Sequence, residues 1–133
     1  MREIKGREEV KELITTFYSS IKKDKLLGPI FLSMLTTEES WDTHLDTLTD
    51  FWETNLFQVI KFHGNPMEAH QRTDKQTGFE ITQDHFYQWL MLWNKTVDEL
   101  FEGDKSQLAK EKARRMGTHL YINIWKHKPK STE

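Results

Sequence analysis

Gly64-Asn65-Pro66-Met67-Glu68-Ala69-His70 is the stretch on which the reading of this chain turns. Gly64 and Pro66 interrupt any helix that precedes them. Pro66, with its fixed φ, suits the start of a single helical turn that ends near His70. Helical patterns rich in aromatic residues lie on both sides. The upstream one carries Trp41, His44, Leu48, Phe51 and Trp52, and the downstream one carries Phe86, Trp89, Leu90, Trp93 and Val97. A neutral imidazole is the commonest side-chain metal ligand, and apolar helices on either side of it exclude water. His70 is therefore the leading candidate ligand of the chain.

The long patterns on either side have a period near 3.6, not 2. From about Glu8 to Lys25, apolar residues fall at Val10, Leu13, Ile14, Phe17, Tyr18 and Ile21, one face of a helix. Gly28-Pro29 is expected to stop it. Ile30, Phe31, Met34 and Leu35 then make a short helical connector. Thr36 reads as the cap of the next helix, with Glu39 completing a capping box, and that helix is expected to run to about Lys61. Gln71 to Phe79 is polar and contains Gly78, so it reads as a loop. Thr82 is the expected cap of a helix reaching about Phe101, and Gly103 ends it. Asp104 is expected to cap a last helix, with Gln107 completing the box. Its apolar stripe is Leu108, Ala113, Met116, Leu120 and Ile124. No strand is expected. The fold class is all-α.

Length and composition narrow the function classes. A chain of 133 residues is expected to be one domain, residues 1–133, with 1–6 and 127–133 as frayed tails. Aromatic residues make up 12% of the chain, including five Trp and eight Phe, enough bulk to line a pocket as well as fill a core. The formal net charge is −2, from 19 basic and 21 acidic residues, which gives no electrostatic case for nucleic acid or an anionic membrane. The basic run Lys126-His127-Lys128-Pro129-Lys130 reads as a solvated tail. The absence of cysteine excludes disulfides, thiolate metal sites, iron–sulfur clusters and a Cys nucleophile. It fits a reducing cytoplasm. No secretory signal and no membrane-length apolar run is visible, so the expected location is cytoplasmic.

Chemistry other than metal ligation finds little support. There is no GxSxG, HExxH, P-loop or GxGxxG pattern. Ser19, Ser20 and Ser40 have no evident His/Asp setting. A carboxylate metal site in a helical bundle wants Glu-x-x-His, and Asp42, Glu68 and Glu80 precede histidines at other spacings. His44 shares a helical face with Leu48 and Phe51, so it points to the apolar side. On periodicity alone, a core imidazole bonded to a backbone carbonyl is its more ordinary reading. Tyr18 and Trp89 also lie on apolar faces, where either is most simply core.

Taken together, the positions are more specific. Phe17-Tyr18, Asp24-Lys25-Leu26-Leu27-Gly28-Pro29-Ile30-Phe31, Trp41-x-x-His44, Phe51-Trp52, Gly64-x-Pro66-x-x-x-His70 and Phe86-x-x-Trp89-Leu90 follow one another in an order and spacing that resemble a truncated haemoglobin of group III. The resemblance runs from about residue 8 to 125. The chain also lacks the Gly-Gly pairs typical of groups I and II. The resemblance implies a 2-over-2 helical sandwich around haem b, with His70 as the proximal ligand to iron. It implies that Tyr18 and Trp89 donate distal hydrogen bonds to a bound ligand, and that His44 is the distal histidine. Phe31 would pack on the porphyrin face, and Leu48, Phe51 and Trp52 would form the distal wall. Arg72 is the candidate partner for a haem propionate. No catalytic residue is implied as such.

The expected ligands are dioxygen, nitric oxide, carbon monoxide or similar small molecules, with an electron-donating reductase as a further partner and neither nucleic acid nor membrane. A polar distal pocket suits tight holding or redox chemistry over bulk oxygen transport. A haem enzyme with peroxidase or nitric oxide dioxygenase activity is the alternative, with His44 as acid–base group. An alternative of another class is a haem-free helical interaction module whose aromatics are all core.

Overall fold

The computed structural model describes residues 1–59 and 81–127. Within them the chain forms two short strands and five helices: β1 (Arg2–Glu3), α1 (Arg7–Lys23), α2 (Gly28–Met34), α3 (Glu38–Phe57), α4 (Gln83–Leu100), β2 (Phe101–Glu102) and α5 (Asp104–His127). The expected all-α class holds for every element of length. Helix α1 packs on α3, and α4 packs on α5. The two pairs are laid against each other through contacts of α1 with α4 and of α3 with α5.

Helix α1 buries Val10, Leu13, Ile14, Phe17, Tyr18 and Ile21, the full set its periodicity predicts. Each large apolar side chain taken fully from water contributes about 1.5–3 kcal/mol, so this one face is a major source of stability. Arg7 ties the same helix to α3: its Nη1 donates to Asp50 Oδ1 at 2.6 Å and to Glu53 Oε1 at 3.0 Å. The end of α1 departs from expectation. It is set at Asp24, before Gly28-Pro29: Asp24 Oδ2 accepts the backbone N–H groups of Leu26 (3.0 Å) and Leu27 (2.9 Å) and turns the chain. Pro29 instead lies in the first turn of α2, where its missing N–H costs nothing. Gly28 is required there. A Cβ at this position would stand 2.8 Å from the backbone oxygen of Lys22, which cannot move aside.

Two further boundaries are corrected. The cap of α3 is Thr37, not Thr36, and its box partner is Ser40, not Glu39. Ser40 N donates to Thr37 Oγ1 at 3.0 Å, and Thr37 N donates to Ser40 Oγ at 3.1 Å. The helix stops at Phe57, short of Lys61, because Gln58 takes the left-handed conformation at φ 59°. The first six residues are not a frayed tail. Arg2 pairs in parallel register with Phe101, and Glu3 with Glu102. Arg2 forms an ion pair with Glu12, and Ile4 is buried. No strand was expected because a pair two residues long has no periodic signature. Residues 128–133, expected to be a frayed tail, lie outside the described residues.

Trp93 is the centre of the core. It is fully buried, stacks on Trp52 (centroids 4.5 Å apart, planes at 23°), and meets the edge of Phe17 at 5.0 Å. Its indole N–H donates to the carbonyl of Ala109 at 3.1 Å, which satisfies its one polar atom.

Candidate functional site: an apolar cavity with a phenol–indole pair

Between the two helix pairs lies a partly open cavity of about 190 Å³. Tyr18 reaches it from α1. Leu27 reaches it from the α1–α2 link, and Ile30 and Phe31 from α2. His44 and Leu48 come from α3, and Ile81 precedes α4. His85, Phe86 and Trp89 come from α4, and Gly117 and Leu120 from α5. The walls are mostly apolar, with a few polar side chains among them. That is the composition of a small-molecule site. A larger crevice, about 460 Å³, lies beneath β1 and β2, open to solvent and lined mainly by charged side chains such as Arg2, Glu3, Lys5, Glu9 and Glu102. Among the described residues no group of three or more His, Cys, Asp or Glu is placed to hold a metal ion.

Tyr18 is the pivot of the cavity. It is buried, and its ring meets His44 edge-on at 5.0 Å (interplanar 90°), Phe31 at 5.5 Å and Trp41 at 6.2 Å. Burial pushes its hydroxyl well above the ordinary phenol range, and a hydrogen bond with Trp89 pulls partly the other way. An indole N–H only donates, so Trp89 is the donor and the Tyr18 oxygen the acceptor. The phenol O–H is the second donor of the pair. Accepting from Trp89 polarises that O–H and strengthens it as a donor. The raised pKa keeps the phenol protonated, so the pair offers a hydrogen and not a charge. Trp89 is held from behind by Trp93, parallel at 6.1 Å (6°), and by the edge of Phe17 at 5.9 Å.

Local sequence places each of these groups. Tyr18 lies four residues from Ile14, on the buried face of α1. His44 lies four residues before Leu48 on α3. Trp89 follows from the start of α4, which is set at Thr82 as expected: the Thr82 N–H donates to Nδ1 of His85 at 2.9 Å. With Nδ1 as acceptor, the neutral ring of His85 carries its hydrogen on Nε2.

Of the residues singled out from sequence, Tyr18, His44, Trp89, Phe31 and Leu48 meet around this cavity. Phe51 and Trp52 do not line it. Trp52 is core, stacked on Trp93, and Phe51 packs edge-on against Trp52 at 5.6 Å. Its stacking on Trp93 turns the Trp52 ring toward α4 and the core. His70 and Arg72 lie outside the described residues. Sequence reading missed Ile81, His85 and Gly117 as cavity residues. His85 reads as a helix-capping position. Gly117 carries a weak signal, since glycine inside a helix costs about 1 kcal/mol against alanine and calls for a packing reason; the Trp89 ring lies 3.8 Å from where its Cβ would stand.

The donor set suits an iron porphyrin with a small ligand. The walls are largely apolar, as the face of a porphyrin is, and Tyr18 and Trp89 line them as neutral donors without a buried charge. A volume of about 190 Å³ is below the roughly 300–1,000 Å³ of sites that enclose a whole organic ligand, and ample for a diatomic molecule. No family model matches the chain. The crystal structure of a group III truncated hemoglobin from Campylobacter jejuni aligns with a TM-score of 0.84, covering 98% of this chain and 100% of that one at 24% identity.

The fold is that of a truncated haemoglobin.

In sequence, the group 3 truncated hemoglobin ctb of Campylobacter jejuni is similar, at 25% identity over 123 residues, 92% of this chain and 93% of that protein. The resemblance to group III truncated haemoglobins thus extends along almost the whole chain. In the truncated-haemoglobin fold adopted here, α1, α3 and α4 supply the phenol, the imidazole and the indole of one cavity. No helix among the described residues is long and apolar enough to cross a membrane.

Proposed function

We propose that the chain is a haem b protein that binds dioxygen and other diatomic ligands, with His70 as the proximal ligand. The observation that carries this reading is the meeting of Tyr18, His44 and Trp89 in the wall of a largely apolar cavity. A site for an electron-rich diatomic ligand needs a hydrogen-bond donor, and the Tyr18 hydroxyl and the Trp89 indole are both donors. The whole-length similarity to a group 3 truncated haemoglobin supports the same reading. Bound haem supplies a ferrous iron that takes the ligand. The protein's own part is to orient and retain it: Tyr18 donates to the ligand, Trp89 holds Tyr18, Phe31 and Leu48 exclude water, and His44 stands beside the phenol. An arrangement that retains its ligand fits oxygen, nitric oxide or redox chemistry, with a reductase as electron donor, better than bulk transport. The imidazole of His44, 5.0 Å from the Tyr18 ring, favours one further reading, peroxidase or nitric oxide dioxygenase turnover with His44 as acid–base group.

Haemin titration followed by absorption tests the proposal. The wild-type chain is expected to develop a Soret band that saturates at one haem per chain. His70→Ala is expected to lose most haem affinity and to regain part of it with added imidazole. A wild-type chain without the band refutes haem binding. Undiminished affinity in His70→Ala refutes the ligand assignment. For the enzymatic reading, peroxide turnover no faster than that of free haemin excludes a peroxidase.

A further inference from the structure

Asp24 joins three of the segments that build the cavity. Its Oδ2 accepts the N–H groups of Leu26 (3.0 Å) and Leu27 (2.9 Å), fixing the link that carries Leu27 into the wall. Its own N–H bonds Ile21 O at 3.1 Å, which closes α1 one turn beyond Tyr18, and its carbonyl accepts from Gly28 N at 2.9 Å at the start of α2. Its remaining oxygen, Oδ1, reaches across 64 residues of sequence to accept from Gln88 Nε2 at 2.7 Å. Gln88 is the residue before Trp89.

Successive residues on a helix point about 100° apart, so anchoring Gln88 fixes both the roll and the axial position of the first turns of α4. Those two quantities set the direction of the neighbouring indole. Tyr18 and Trp89 line the same cavity from α1 and α4, and hydrogen-bonding geometry tolerates only a few tenths of an ångström and some tens of degrees, so a shift of α4 against α1 alters how the two donors are aimed. We infer that Asp24, through Gln88, is a positioning residue for the Tyr18–Trp89 pair and thereby sets how slowly a ligand leaves the cavity. The inference deepens the proposed function and rests on it for the ligand, but not for the geometry. Burial works to raise the Asp24 pKa, yet the bonds from Leu27, Gln88 and Leu26 together hold the carboxyl below its ordinary value, so the clamp is charged at neutral pH.

Gln88→Met keeps side-chain length and helix propensity and removes the donor. In the haem-free chain, the Trp89 indole N–H resonance, assigned by its loss in Trp89→Phe, is expected to shift and to exchange faster with solvent in Gln88→Met. In the haem-loaded ferrous chain, Gln88→Met is expected to speed dioxygen release by about three- to tenfold, the effect of weakening one hydrogen bond. In a Trp89→Phe background the same substitution is expected to add nothing, because its route is already cut. Asp24→Asn, which leaves an uncharged acceptor, is expected to move both readouts in the same direction by less. An unchanged indole resonance in Gln88→Met overturns the inference. So does an equal acceleration with and without Trp89, which would mean general loosening. If the wild-type chain takes no haem, the proposed function fails, and the indole measurement still decides whether the clamp positions Trp89.

Discussion

At the scale of single residues, the proposed chemistry rests on a phenol beside an indole. Tyr18 and Trp89 line one cavity, and each carries a hydrogen that a ligand can accept. A hydrogen bond to a partner bearing charge is worth about 1.5–3 kcal/mol, or roughly one to two decades in a dissociation rate. Tyr18→Phe removes the donor outright. Trp89→Phe removes the bond that aims and polarises it. Each is expected to speed dioxygen release from the ferrous protein by at least about tenfold in stopped flow. Unchanged rates in both would take the pair out of ligand retention. Both residues were legible in the sequence because each falls on an apolar helical face. Their meeting at one cavity was not, since periodicity gives the direction of a side chain and not its partner. Trp52 shows the same limit from the other side. It lies on the expected face of α3, yet stacks on Trp93 instead of lining the cavity.

At the scale of elements, boundaries depend on a few atoms. Thr36 and Thr37 are equivalent as sequence, and only the Ser40 side chain, reciprocating with Thr37, chooses between them. Helix α3 ends early because Gln58 turns left-handed. That leaves Val59, just beyond the helix, substantially exposed. Gly103 joins β2 to α5 at φ +98°, a conformation L side chains rarely adopt. A Cβ there would lie 2.5 Å from Glu3 Oε1, but that carboxylate can swing away, so the backbone strain dominates. Gly103→Ala is therefore expected to cost about 1–2 kcal/mol in urea unfolding. A variant as stable as the parent would show that the turn relaxes to negative φ at no cost.

At the scale of the whole molecule, Asp24 makes stability depend on pH. Its carboxyl is held below the ordinary value, because the bonds it accepts outweigh the cost of burial. A group whose folded-state pKa is depressed stabilises the fold fully above its unfolded pKa, about 3.9, and loses that contribution as pH falls from there through the lower folded value. Urea midpoints measured from pH 7 downward are expected to fall more steeply near and below pH 4 for the wild type than for Asp24→Asn. Parallel curves would mean that Asp24 contributes nothing to the acid limb.

Sequence alone determined the helices, their inward faces and the presence of Tyr18, His44 and Trp89 on those faces, because a 3.6-residue period and a cap act within a few turns of chain. Tertiary structure alone decided the rest: the pairing of Arg2 and Glu3 with Phe101 and Glu102, the reach of Asp24 to Gln88, the meeting of Trp89 and Tyr18 at one cavity, and the retreat of Trp52 into the core. Each of these joins residues tens of positions apart. Their meeting depends on how the helices are rotated and shifted when their faces are packed, and no local pattern carries that information.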